Sequence, residues 1–120
     1  GLKLQLLVYL EALLEMERST AIGDWQTWVV ADQQFHENMR KCCKNTYISE
    51  QGDLLGRPSH QFRMLITKTY IDKAISTQDH RAIYDAVIRG DAHGARESAQ
   101  RHFCWLRGQV IEFLDKYKLY

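Results

Sequence analysis

The stretch Asp24-Trp-Gln-Thr-Trp-Val-Val-Ala-Asp32-Gln-Gln-Phe-His36-Glu-Asn-Met-Arg-Lys-Cys-Cys-Lys-Asn45 decides how this chain is read. Taken as one helix, its apolar positions fall at Trp25, Trp28, Val29, Phe35, Met39 and Cys43, three and four residues apart. At about 100° per residue, Asp32 and His36 sit within about 20° of the centre of that stripe. A carboxylate buried there without a partner costs several kcal/mol, so something must compensate it. Spacing of i, i+4 points both side chains the same way, and the simplest compensator is a cation gripped by both.

Outward from this segment the periodicity stays helical. The 120 residues contain one proline, Pro58, and no alternating run of strand length. A first helix is expected over residues 2 to about 18, filled by Leu6, Leu7, Leu10, Leu13, Leu14 and Glu17, with a break at residues 19–23. Asp24 reads as the N-cap of the second helix and Asn45 as its left-handed stop. A short helix is expected within residues 47–55. Ser59 should cap another to about Tyr70, with Phe62, Leu65, Ile66 and Tyr70 (or Thr69) on one side. Ser76-Thr77-Gln78-Asp79 resembles a capping box, opening a helix to about Arg89. Gly90 ends it, and Asp91 caps a last long helix to about Tyr117. The expected architecture is all-α, an antiparallel bundle of about five to six helices forming one domain over residues 1–120.

His80 lies in the stripe His80, Ile83, Tyr84, Val87, and His102 in the stripe Ala95, Ala99, His102, Leu106, Val110, Phe113. Antiparallel pairing across the Gly90-Asp91 turn sets His80 level with His102, and Ala95 and Ala99 let the two helices approach. His93 points about 160° away from the Ala95 face, and His60 adjoins the Pro58 turn, so both are expected in solvent. Asp32, His36, His80 and His102 thus form the expected metal site. One carboxylate oxygen and three imidazole nitrogens suit Zn²⁺, Ni²⁺, Fe²⁺ or Mn²⁺ rather than Ca²⁺ or Mg²⁺. Partners for these ligands are sought among Tyr84, Gln109 and Asn38.

Composition narrows the remaining choices. The chain is 45% hydrophobic and 26% charged, with a formal charge of +1, which gives no electrostatic footprint for nucleic acid or an anionic membrane. No apolar run is long enough to span a bilayer. Cys42, Cys43 and Cys104 are odd in number and contain no Cys-x-x-Cys pair. A reducing cytoplasm is therefore expected, with Cys43 and Cys104 as small buried hydrophobes. Gly1 opens directly into helical periodicity, which reads as a fragment whose upstream part is missing.

Asp32-Gln-Gln-Phe35-His36, followed at Asn45, resembles the "D-x-x-F-H … N" signature of the FCD domain, the effector-sensing C-terminal domain of FadR-like GntR-family bacterial transcription regulators. Asp79-His80-Arg-Ala-Ile83-Tyr-Asp-Ala86-Val-Ile-Arg-Gly90-Asp91 is similar to that family's "E-H-x-x-I-x-x-A-I-x-x-G-D", with Ala95 and His102 at its "A … H". The resemblance implies a helical bundle that holds a divalent metal through Asp32, His36, His80 and His102, and of the metals that suit this donor set Zn or Ni is expected foremost. It also implies a small carboxylate effector on or beside the metal, and a homodimer whose N-terminal winged helix-turn-helix domains bind DNA. That DNA-binding domain and the family's opening helix have no counterpart in this sequence, and Asp79 replaces the pattern's Glu. Arg63 is the expected second contact for an effector carboxylate, as a fork on the helix after Pro58. No catalysis is expected. The alternative is a helical-bundle metalloenzyme on the same site, for which Glu11 is the candidate base.

Overall fold

The computed structural model describes residues 2–42 and 60–118, and the side chains of 6–38 and 65–118. Five helices occupy them: α1 Leu2–Ile22, α2 Trp25–Cys42, α3 His60–Thr69, α4 Lys73–Ile88 and α5 Ala92–Tyr117. No strand occurs among the described residues, and none of these helices is long and apolar enough to cross a membrane. The expected Asn45 stop, the short helix within residues 47–55, Ser59 and Cys43 lie outside the described residues.

Local chemistry sets the two tight turns. Between α1 and α2, Gly23 takes φ +72°, a left-handed conformation that side chains with a Cβ resist. Asp24 N–H then donates back to Ser19 O at 2.9 Å. The Asp24 carboxylate accepts from the Thr27 amide at 3.2 Å and the Thr27 hydroxyl at 2.6 Å, which caps α2. Gly90, also at φ +72°, repeats the device between α4 and α5. Asp91 N–H reaches Ala86 O, and the Asp91 side chain accepts from Gly94 N–H at 2.8 Å. Two helical hairpins result.

Their packing builds the core. Tyr9, Ala12, Leu13 and Met16 of α1 meet Trp28, Val29, Ala31 and Phe35 of α2, then Ile83, Tyr84 and Ala86 of α4, then Ala95, Ala99 and Phe103 of α5. Phe35 is fully enclosed, with its ring centre 4.4 Å from that of Tyr9 and 4.5 Å from that of His80. A smaller cluster of Ile66, Ile71 and Phe113 joins α3 to the C-terminal half of α5. Arg81 of α4 grips Glu17 of α1 through two bonds, Nε at 3.0 Å and a terminal nitrogen at 2.6 Å.

Several boundaries and faces differ from those expected. The first helix runs on to Ile22 because Ser19 and Thr20 donate their hydroxyls to Glu15 O and Met16 O, keeping them inside the helix. The fourth starts at Lys73, capped by Asp72, whose side chain accepts from Ile75 N–H at 3.1 Å; Ser76 and Asp79 are interior positions and cap nothing. Leu7 and Leu14 are about half exposed, since Tyr9, Ala12, Leu13 and Met16 take the inner face of α1. Leu65 is likewise exposed beside buried Ile66. Trp25, in the first turn of α2, lies open with Lys73 Nζ 4.9 Å from its ring centre. Cys104 is exposed, one position past the inward pair His102 and Phe103. His93 is exposed as expected, paired with Glu97 at 3.1 Å, and the His60 side chain is outside the described set.

A buried polar bond ties the two hairpins together. Trp28 Nε1–H donates to Thr77 Oγ1 at 2.8 Å, and the Thr77 hydroxyl donates to Lys73 O at 2.7 Å. Thr77→Val keeps the branched shape and leaves the indole N–H enclosed without its acceptor. This substitution is expected to lower unfolding stability by about 1–3 kcal/mol in urea titrations, with the denaturant slope unchanged.

Candidate metal centre

The four residues picked from periodicity come together between the hairpins. Asp32 and His36 stand one turn apart on α2, His80 comes from α4 and His102 from α5, levelled with His80 by the Gly90 turn. Asp32 Oδ1 lies 3.2 Å from His36 Nε2 and 3.0 Å from His80 Nε2. The two Nε2 atoms are 3.1 Å apart. His102 closes the group, its ring centre 4.7 Å from that of His80 and 6.3 Å from that of His36. Each histidine offers one ligand atom, and these three atoms lie within 4.8 Å of one another. His80 and His102 are enclosed, while the Asp32 and His36 side chains keep 15% exposure, so the group opens to solvent on the α2 side.

What lies behind the rings determines which nitrogens face inward. His80 Nδ1–H donates to the Ser76 carbonyl at 2.5 Å, one turn back on its own helix. His102 Nδ1–H donates to Asp79 Oδ2 at 3.0 Å. With those protons committed outward, the neutral rings present Nε2 lone pairs. A lone pair of His80 then faces the Asp32 carboxylate oxygen at hydrogen-bond distance. Two acceptors hold that separation only with a cation or a proton between them. Donors about 2.0–2.2 Å from one ion stand roughly 3.0–3.5 Å from each other, which matches the Asp32, His36 and His80 spacings. The residues present therefore fit a divalent metal, and the three histidines could hold one.

Without an ion, a proton on the facing imidazole nitrogens takes the cation's place beside the carboxylate. Burial works to raise the Asp32 carboxyl, but the charge and hydrogen bond of His36 and those of His80 outweigh it and hold it well below the usual carboxylate range. Burial pulls His102 down to about 4, against the pull of Asp79, with His80 and His36 adding to the lowering. His102 is thus neutral at pH 7, as a metal ligand must be.

Other expected residues fall elsewhere. Arg63 sits on α3, and its side chain lies outside the described residues. Glu11 is exposed on α1. Asn38 donates its side-chain amide to Gln34 O within α2, Tyr84 packs against Tyr9, and Gln109 lies about two turns beyond His102. The imidazole partners are instead Ser76 and Asp79. The hairpin alignment that levels His80 with His102 reaches Asp79 as well, so this contact carried a signal that the capping-box reading concealed.

The folded value of His102 lies below the 6.5 or so of an unfolded histidine, so on acidification the unfolded chain takes up the proton first. Stability of chelator-treated protein is expected to fall by about 3 kcal/mol as pH drops from 7 to 4. His102→Gln should flatten most of that slope in urea unfolding across the same range.

No curated protein and no solved structure matches the chain. The family model of the FCD domain matches residues 5–104, which include all four converging residues. That match spans most of the chain, and the helical fold agrees with it: the protein belongs to the FCD domain family, the effector-binding domains of GntR-family transcription regulators.

Proposed function

We propose that this domain senses its effector through a bound divalent transition metal, held by Asp32, His36, His80 and His102. The observation that carries the reading is the inward convergence of basic nitrogens on a buried carboxylate, with the outer nitrogens of His80 and His102 already committed as donors. Such a set fits Zn²⁺ or Ni²⁺ best, and neutral imidazole with one carboxylate leaves the ion a net positive charge. When bound, the metal supplies a Lewis-acidic anchor for a small carboxylate effector. This chain's own residues orient the anchor, enclose it on the α4 and α5 sides, and leave it open beside Asp32 and His36. Arg63 on α3 supplies the second, forked contact to the effector.

Signal transfer follows from population shift. An effector that binds one arrangement of the bundle more tightly favours the matching spacing of DNA-binding heads in a cytoplasmic homodimer of the parent regulator. Half-exposed Leu7 and Leu14 on α1 and Val30 on α2 support a second copy as partner. DNA contact belongs to the winged-helix domain of the parent, and the domain itself carries out no catalysis. Glu11, the base an enzyme would need, stands exposed on α1.

Metal removal tests the centre. Protein purified without a nickel column should contain close to one equivalent of transition metal, and a strong chelator should lower its melting temperature by at least about 5 °C. His102→Ala should abolish most of that chelator sensitivity, whereas His93→Ala, on the outer face, should leave it intact. Equal behaviour of the two variants would place the metal elsewhere.

The effector contact has its own measurement. Calorimetric titration of small hydroxy- and dicarboxylic acids into metal-loaded protein should show binding that weakens about tenfold or more in Arg63→Ala. Unchanged affinity removes Arg63 from the effector site and leaves the metal centre standing.

A further inference from the structure

His80 and His102 are held from behind in different ways. The Ser76 carbonyl behind His80 is backbone and would be present whatever residue stood at 76. The acceptor behind His102 is a side chain, the Asp79 carboxylate, reaching across from α4 to α5. Asp79 lies well inside α4, so it has no capping duty, and its side chain is 31% exposed beside an imidazole that is 1% exposed. A divalent ion with Asp32 and three neutral imidazoles keeps one positive charge in a largely enclosed site. A second carboxylate one hydrogen bond further out brings the assembly to neutrality.

We propose that Asp79 is a positioning residue of the centre: its carboxylate holds the His102 ring by Nδ1–H, so that Nε2 faces the metal, and supplies the second negative charge the ion requires. This role rests on the metal reading above and adds a residue outside its ligand set. A neutral acceptor at 79 would orient the ring but leave the charge unbalanced, so Asn should restore part of the effect and Glu most of it.

The test uses the whole chain and zinc. Affinity is measured by competition with a chromophoric chelator for wild type, Asp79→Ala, Asp79→Asn and Asp79→Glu, and the His102 tautomer is read from imidazole ¹⁵N shifts in metal-free protein. Asp79→Ala is expected to bind zinc about 10–100-fold more weakly, Asp79→Asn to fall between, and Asp79→Glu to stay within about threefold of wild type. Wild-type His102 should carry its proton on Nδ1, and Asp79→Ala should shift it toward Nε2, which a merely structural role would not do. Zinc affinity unchanged in Asp79→Ala overturns the role of Asp79 alone, as does a wild-type His102 protonated on Nε2, a result that needs no folded variant. A wild-type chain that binds no zinc overturns the metal centre itself, and this role with it.

Discussion

A carboxylate in the middle of an apolar helix face is the constraint on which this bundle turns. Asp32 sits between Trp28, Val29 and Phe35, side chains that are almost wholly enclosed. Desolvating its charge would cost several kcal/mol if nothing answered it. The answer comes from His36 on α2 itself and His80 on α4, with His102 of α5 packed against His80. The two hairpins must therefore dock in one relative position for the charge to be met, and the polar centre specifies an alignment that greasy packing alone would leave loose.

Everything around that centre serves to hold the alignment. Phe35 fills the space between Tyr9 and His80, so α1, α2 and α4 meet on one ring. Thr77 takes the indole N–H of Trp28 three residues before His80, and Arg81 grips Glu17 one residue after it. On α5, Ala95 and Ala99 present almost no bulk, which brings His102 against His80 at ring-contact distance. Helix α4 is thus the keystone. It supplies His80, the carbonyl behind it, the carboxylate behind His102, and the polar ties to both helices of the first hairpin.

This arrangement suits a sensor. The centre touches both hairpins, and anything that binds it more tightly in one docking arrangement changes the balance between arrangements. Its enclosed side faces α4 and α5, and its open side lies next to Asp32 and His36, where a small ligand would enter. Family membership makes this an effector-binding domain, and anchoring of the effector by the polar centre is our proposal.

The amino-acid sequence by itself determined the five described helices, their order and the four side chains that converge between them. Those depend on periodicity, on Gly23 and Gly90, and on polar residues centred in apolar stripes, all of which are local or follow from one short turn. His80 and His102 could be levelled because only Arg89, Gly90 and Asp91 separate their helices. Helix ends were less legible, since Ser19 and Thr20 break helices in some contexts and back-bond within them in others, and Asp72 competed with Ser76 for the cap of α4. Only the tertiary structure decided which half of a wide apolar stripe is covered. Leu7, Leu14, Leu65 and Cys104 lie on faces whose exposure depends on where the neighbouring helix crosses. It also decided the use of Asp79, whose sequence neighbours resemble a cap and whose partner lies on another helix. Spacing along the chain fixes where a side chain points. What it meets there is set by the packing of helices that the spacing does not encode.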